Sequence, residues 1–205
     1  SWSDMQLELT DPAFSIGEPW QAVVANLGDG TVKGMDVDLT ALVGDIQFGF
    51  NMTKVFDAYV NPMQSYPDAR FEGGVADLGL DAKSTLPLFG DISYSLYTEY
   101  VGPINLFGDD TQGFARVQHS YNGESLNQLS DGGNAPRFTQ GDYRVTDLIM
   151  GFDVGDWKAQ LSLNNITDER GISFRDSSDF DPYYGRYSDS VIRPKNYSIS
   201  LRRYF

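Results

Sequence analysis

Apolar and polar residues take turns along most of this chain. Met5, Leu7 and Leu9 alternate with Gln6 and Glu8, and Met35, Val37, Leu39 and Ala41 with Asp36, Asp38 and Thr40. Ile46, Phe48, Phe50 and Met52 are separated by Gln47, Gly49 and Asn51; Ala76, Leu78, Leu80 and Ala82 face away from Gly79, Asp81 and Lys83. Ile92, Tyr94 and Leu96 follow the same rule, as do Leu148, Met150 and Phe152, although Ile149 blurs that run. Trp157, Ala159, Leu161 and Leu163 alternate with Lys158, Gln160 and Ser162, and the closing stretch NYSISLRRYF places Tyr197, Ile199 and Leu201 between serines and Arg202. Side chains of a strand point to opposite faces in turn, so each segment predicts a strand with one apolar face. Eight such strands are predicted, and no segment has the 3.6-residue apolar period of a helix.

The connections sort by length. Gly44-Asp45, Gly90-Asp91 and Gly155-Asp156 each separate two alternating runs, and Gly-Asp is a tight-hairpin signal because glycine supplies positive φ. The remaining connections, roughly 10–30, 57–74, 102–142 and 167–194, are long and polar. Short and long alternate, which predicts every tight turn at one end of the sheet and every long loop at the other. A transmembrane barrel has this asymmetry, with brief turns on the periplasmic side and long loops outside. Trp157, Phe89 and Phe205 then mark a girdle of aromatics at one membrane boundary. A soluble β-sandwich shares the alternation and the hairpins but gives no reason for loops to sort by length.

Composition narrows the classes further. The chain has 205 residues, no cysteine and a formal net charge of -14, which opposes nucleic-acid binding and excludes disulfides and thiolate metal sites. Mean hydropathy is -0.36, and no apolar run reaches the ~20 residues of a membrane helix. A barrel escapes that criterion, because only alternate residues meet lipid.

Four stretches resemble one family. NLGDGTVKGMDVDL, with Gly34, Met35, Asp36, Val37 and Asp38, is similar to a barrel segment of TonB-dependent outer-membrane receptors. DWKAQLSLNNITDER resembles their penultimate strand, with Asn165, Ile166, Thr167 and Asp168 matching its Asn-(Leu/Ile)-(Thr/Phe)-Asp motif. RPKNYSISLRRYF resembles the final strand, and SWSDMQLEL a further barrel strand; Arg203 departs from the aromatic or aliphatic residue usual third from the end. The resemblance implies the C-terminal portion of a 22-stranded antiparallel transmembrane barrel, about eight strands of it, with the plug domain and TonB box absent from residues 1–205. It implies a receptor in the outer membrane of a Gram-negative bacterium, working in active uptake of a scarce nutrient, by family prior a ferric siderophore, with cobalamin or an oligosaccharide as alternatives. Its partners would be outer-membrane lipid, the TonB complex through the missing plug, and the barrel assembly machinery through the C-terminal strand. Two rivals stand beside it: a complete eight-stranded barrel with a structural or adhesive role, and a secreted carbohydrate-binding sandwich. The reading frame before Ser1 separates the receptor from the small barrel.

Enzyme chemistry finds little support. The chain has one histidine, His119, expected in a polar loop, and Gly28, Gly30 and Gly34 miss dinucleotide spacing. No catalytic residue, cofactor or metal site is expected. The candidate ligand-binding stretch is the last long loop, ISFRDSSDFDPYYGRYSDS. There Arg175, Asp176, Asp179, Asp181, Tyr183 and Tyr184 combine hard oxygens, cations and flat amphipathic rings. Such a set could hold a divalent cation, grip a ferric chelate or stack on sugars, or be an ordinary solvated loop. Tyr97, Glu99, Asp36 and Asp38 are expected to point into the lumen.

Overall fold

Gly44 and Gly155 adopt φ of 59° and 53°, the positive value that a type II′ turn demands at its first central residue. Nothing lies within 4 Å of where a Cβ would sit on either, so backbone conformation rather than crowding requires glycine there. In the computed structural model of the chain, which describes residues 1–10, 22–62, 65–67, 75–77, 84–87, 89–106, 111–127, 137–181 and 186–205, these turns link strands of one large antiparallel sheet. Its strands are β1 (Trp2–Thr10), β2 (Ala22–Val43), β3 (Ile46–Pro62), β4 (Ile92–Pro103), β5 (Gln112–Asn122), β6 (Tyr143–Val154), β7 (Trp157–Asn164) and β8 (Asn196–Arg203). Each pairs with the next in sequence, and the short strand Ser84–Thr85 adds to β3. Among the described residues there is no helix. The sheet does not close into a barrel: β1 and β8 are its two edges, and what is present is an open antiparallel sheet.

The strand count agrees with the pattern, but one strand is exchanged. Of the run Ala76–Ala82, the described part belongs to Val75–Asp77, which pairs with Ser65–Pro67 in a small ribbon apart from the large sheet; residues 78–83 lie outside the described residues. Gly90-Asp91 is therefore not a hairpin between two sheet strands. It leads into Ile92, which pairs with Lys54, eight residues along β3 from the Gly44-Asp45 turn. The missed strand is β5, inside the span 102–142 expected to be loop. Its apolar face carries Gly113, Ala115, Val117, His119 and Tyr121, too small and too polar to stand out by periodicity. His119 accordingly sits in a strand, with Nδ1 2.9 Å from Thr146 Oγ1, and is not a solvated loop residue.

The sorting by length survives the exchange. Residues 44–45, 104–111 and 155–156 join strands at one end, and 11–21, 63–91, 123–142 and 165–195 at the other. The faces sort as well. Cross-strand partners share a face, and the chain of partners Ala41, Phe48, Thr98, Val117, Leu148, Leu163, Tyr197 runs through the apolar one. The adjacent chain Asp38, Asn51, Ser95, Ser120 runs through the polar one. The apolar face is left uncovered: Leu39 is 60% exposed, Phe48 44% and Ile199 78%. Among the described residues only Val60 and Leu86 are buried hydrophobics. Contiguous exposed apolar area of this kind marks a face that contacts something other than water.

Candidate functional site

Aromatic residues lie at both ends of the apolar face. At the short-connection end, Trp157 is paired with Arg203, and the Arg203 guanidinium lies 5.3 Å from the Trp157 ring and 4.9 Å from that of Phe205. Toward the other end Tyr94 stacks on Tyr121 at 5.2 Å, with Phe50 6.5 Å from Tyr94 and Arg144 5.6 Å from the Tyr121 ring. Phe89 belongs to this second group, because it precedes Ile92 at the long-connection end. The expected single girdle of Trp157, Phe89 and Phe205 is thus split between two rims. Tyr121 follows Gln112 by nine residues along β5. That is roughly 30 Å of strand.

The polar face carries a connected network. Tyr97 lies flat over Gly49, where a Cβ would fall 2.1 Å from its ring. The Tyr97 hydroxyl accepts a hydrogen bond from Gln47 Nε2 at 2.8 Å, and the Arg116 guanidinium stacks on the ring at 3.9 Å. Arg116 also stands 3.8 Å from Glu99 and donates to Gln118 Oε1 at 2.8 Å, and Gln118 reaches Ser120 and then Ser95. Asp36 accepts from Thr53 Oγ1 at 2.7 Å on the same face. Tyr97, Glu99, Asp36 and Asp38 therefore share the polar face. Gln47, an alternating polar position of β3, completes the set with Arg116 and Gln118, which went unnoticed in the sequence because β5 did.

At the long-connection end the Asn-Ile-Thr-Asp motif forms a latch. Asn165, 2% exposed and at φ 50°, donates from Nδ2 to the carbonyls of Glu169 and Arg193, both at 3.0 Å, and accepts from the Glu169 N–H at 2.9 Å. One side chain thus ties together the start and the finish of the connection between β7 and β8. Asp168, at φ 55°, accepts from Arg170 at 2.8 Å and from the Lys195 N–H at 3.2 Å. The Arg170 hydrogen bond, aided by that backbone N–H, holds the Asp168 carboxyl below its usual range.

Between these anchors the chain rises as a ribbon, Ile172–Asp181 paired with Arg186–Val191. Arg175 reaches across it to Asp189 in a two-pronged bridge, Nε to Oδ1 at 2.6 Å and a terminal nitrogen to Oδ2 at 2.7 Å. Its guanidinium also stacks on Tyr187 at 3.9 Å and lies 5.3 Å from Phe138. The bridge hydrogen bond lowers the Asp189 pKa and raises that of Arg175. The Arg175 carbonyl accepts from Asn127 Nδ2 at 3.3 Å, so this ribbon is docked against the one formed by Ser125–Leu126 and Thr139–Gln140. Of the six expected ligand residues, Arg175 is placed at the root of the ribbon and bound to Asp189. Asp176, Asp179 and Asp181 lie on its rising strand with their side chains outside the described residues, as are Tyr183 and Tyr184 altogether.

A cavity of about 640 Å³ opens at the same end, lined by Phe56, Phe89, Asp91, Tyr121, Glu124 and Asp142 among others. It combines aromatic rings with carboxylates, and the run through 102–142 gave no signal for it. Comparison of the chain with protein-family models, with curated proteins and with solved structures finds no match.

Proposed function

We propose that this chain forms a wall of an outer-membrane β-barrel of the TonB-dependent receptor type, working in energised uptake of a scarce, bulky nutrient. The observation that carries the reading is the uncovered apolar face, continuous from β2 to β8 among the described residues and bounded by aromatic residues at both ends, opposite a hydrogen-bonded polar face. Lipid on one side and an aqueous lumen on the other account for both faces at once. The register supports it. Partners Ile199, Leu161, Met150, Ala115, Tyr100 and Ile46 form a line across six strands, yet Ile46 touches its turn while Ile199 stands four residues before Arg203. The short-connection ends therefore slant by about 13 Å over roughly 24 Å of sheet, a lean near 30° that approaches the 35–45° of membrane barrels.

The open edges support a wide barrel over a complete small one, because β1 and β8 do not pair. In that setting the ribbon of residues 172–191 and the cavity beside Tyr121 stand on the outer side, where a ligand would first be met. A ferric siderophore is the nutrient we favour, on the strength of the sequence resemblance. The test is expression of the gene under iron limitation. Strong induction supports the siderophore assignment, and an unchanged level redirects it to cobalamin or a sugar.

A further inference from the structure

The apolar face bears a groove of about 460 Å³ near the short-connection end, and almost all of its lining is carbon. Gly113, Ala115 and Ala159 keep its floor low, while Ile104, Leu106 and Ile199 stand along its margins. Ile104 folds back over Gly113, where a Cβ would come within 2.6 Å of it. The groove ends at Ala159, which pairs with Leu201; two residues further toward the turn, on the same face, Trp157 pairs with Arg203, so the guanidinium stands just beyond the groove's end.

Arg203 differs from the ion-paired cations Lys158 and Arg116. Lys158 is tied to Asp153 at 3.3 Å and Arg116 to Glu99 at 3.8 Å. Among the described residues no carboxylate comes within ion-pair distance of Arg203, whose contacts are the rings of Trp157 and Phe205. Those rings hold the guanidinium at the level of the rim and leave its N–H fork for an anion. A cation without a carboxylate, one same-face pair beyond the end of an apolar groove, matches a molecule with a phosphate at one end and a hydrocarbon chain a few ångströms further on.

We propose that the groove and Arg203 together bind one anionic phospholipid, its phosphate on the guanidinium and an acyl chain along Ala159. The proposal rests on the reading of the apolar face as lipid-facing. Arg is suited to phosphate because its planar fork donates two parallel hydrogen bonds.

The test is native mass spectrometry of the full chain released from detergent micelles after equilibration with dioleoylphosphatidylglycerol, dioleoylphosphatidylcholine or inorganic phosphate. One phosphatidylglycerol is expected to stay bound, about tenfold more tightly than phosphatidylcholine, as a charge-assisted contact provides. Arg203→Gln should reduce it to the phosphatidylcholine level, and Arg203→Lys should keep part of the preference. Ala159→Phe, which fills the groove, should release both lipids from a chain with wild-type β-sheet circular dichroism. Equal retention of the two lipids by wild type, or an unchanged Arg203→Gln variant, overturns the proposal. Displacement of the lipid by inorganic phosphate overturns it too, and assigns the site to a free anion. A chain that inserts into phosphatidylcholine vesicles but shows no lipid preference overturns this inference alone; one that takes up neither detergent nor lipid overturns the membrane reading with it.

Discussion

Replacing Asn165 by alanine removes three hydrogen bonds between one buried side chain and the backbone at both ends of the β7–β8 connection. Each contributes about 1 kcal/mol net. Alanine must also hold φ near 50°, which costs an L-residue with a Cβ about another 1 kcal/mol. The expected loss is therefore about 4 kcal/mol. Asn165→Gly loses the same bonds without the conformational strain, and should cost about 3 kcal/mol. Asn165→Asp is the sharpest variant. It preserves an acceptor for the Glu169 N–H but turns a carboxylate oxygen toward the carbonyls of Glu169 and Arg193, so it should be at least as damaging as alanine. The assay is urea unfolding of the full chain in phosphatidylcholine vesicles followed by tryptophan fluorescence, with hydrogen exchange at the Glu169 amide as the local readout. An aspartate variant as stable as wild type would refute the latch. So would an alanine variant within 1 kcal/mol of it with the Glu169 amide still protected.

Three further outcomes follow from the same geometry. The Arg175–Asp189 bridge depresses the Asp189 pKa, so its stabilisation is fully present above the ordinary carboxylate value of about 4 and fades as pH falls through the lowered one. Protease nicking of residues 172–191 should rise in that acid window, and Asp189→Asn should show the higher rate at every pH. Gly49→Ala must displace the Tyr97 ring, so it should destabilise by about 1–3 kcal/mol, and much of that loss should vanish in a Tyr97→Ala background, as a double-mutant cycle would show. Val117→Arg, on the apolar face midway between the rims, should cost about 2–4 kcal/mol in vesicles, whereas Ser95→Arg on the polar face should cost under 1 kcal/mol by the same unfolding assay.

Strands with large apolar residues every second position were legible, as at Ile46–Met52 and Trp157–Leu163, because period two survives any packing context. The Gly-Asp turns were legible only in part. Gly44 and Gly155 need positive φ, but Gly90 lies against the Gly123 carbonyl in a long connection, and the dipeptide alone does not distinguish the two cases. β5 was hidden because its neighbours supply the bulk. Gly113 is filled by Ile104, and Gly49 by Tyr97, so small residues at these positions are packing choices that a single strand does not reveal. The chosen site fared likewise. Arg175 stood out by residue type, whereas its partners Asp189 and Tyr187 reach it only when the ribbon's two strands pair, and Phe138 only once the second ribbon docks. The Asn165 motif was recognised as a pattern, and its role as a tie between Glu169 and Arg193 emerged from the fold.

Because the chain contains no cysteine, single cysteines can be introduced one at a time along β3 and labelled with an environment-sensitive fluorophore. In phosphatidylcholine vesicles carrying a quencher on the lipid tails, labels at positions 46, 48, 50 and 52 should be quenched. Labels at 47, 49, 51 and 53 should respond instead to a water-soluble quencher, giving a period of two. Labels at 46, 48, 50 and 52 shielded from both quenchers would mean that a protein layer covers that face, and would contradict the account at its root.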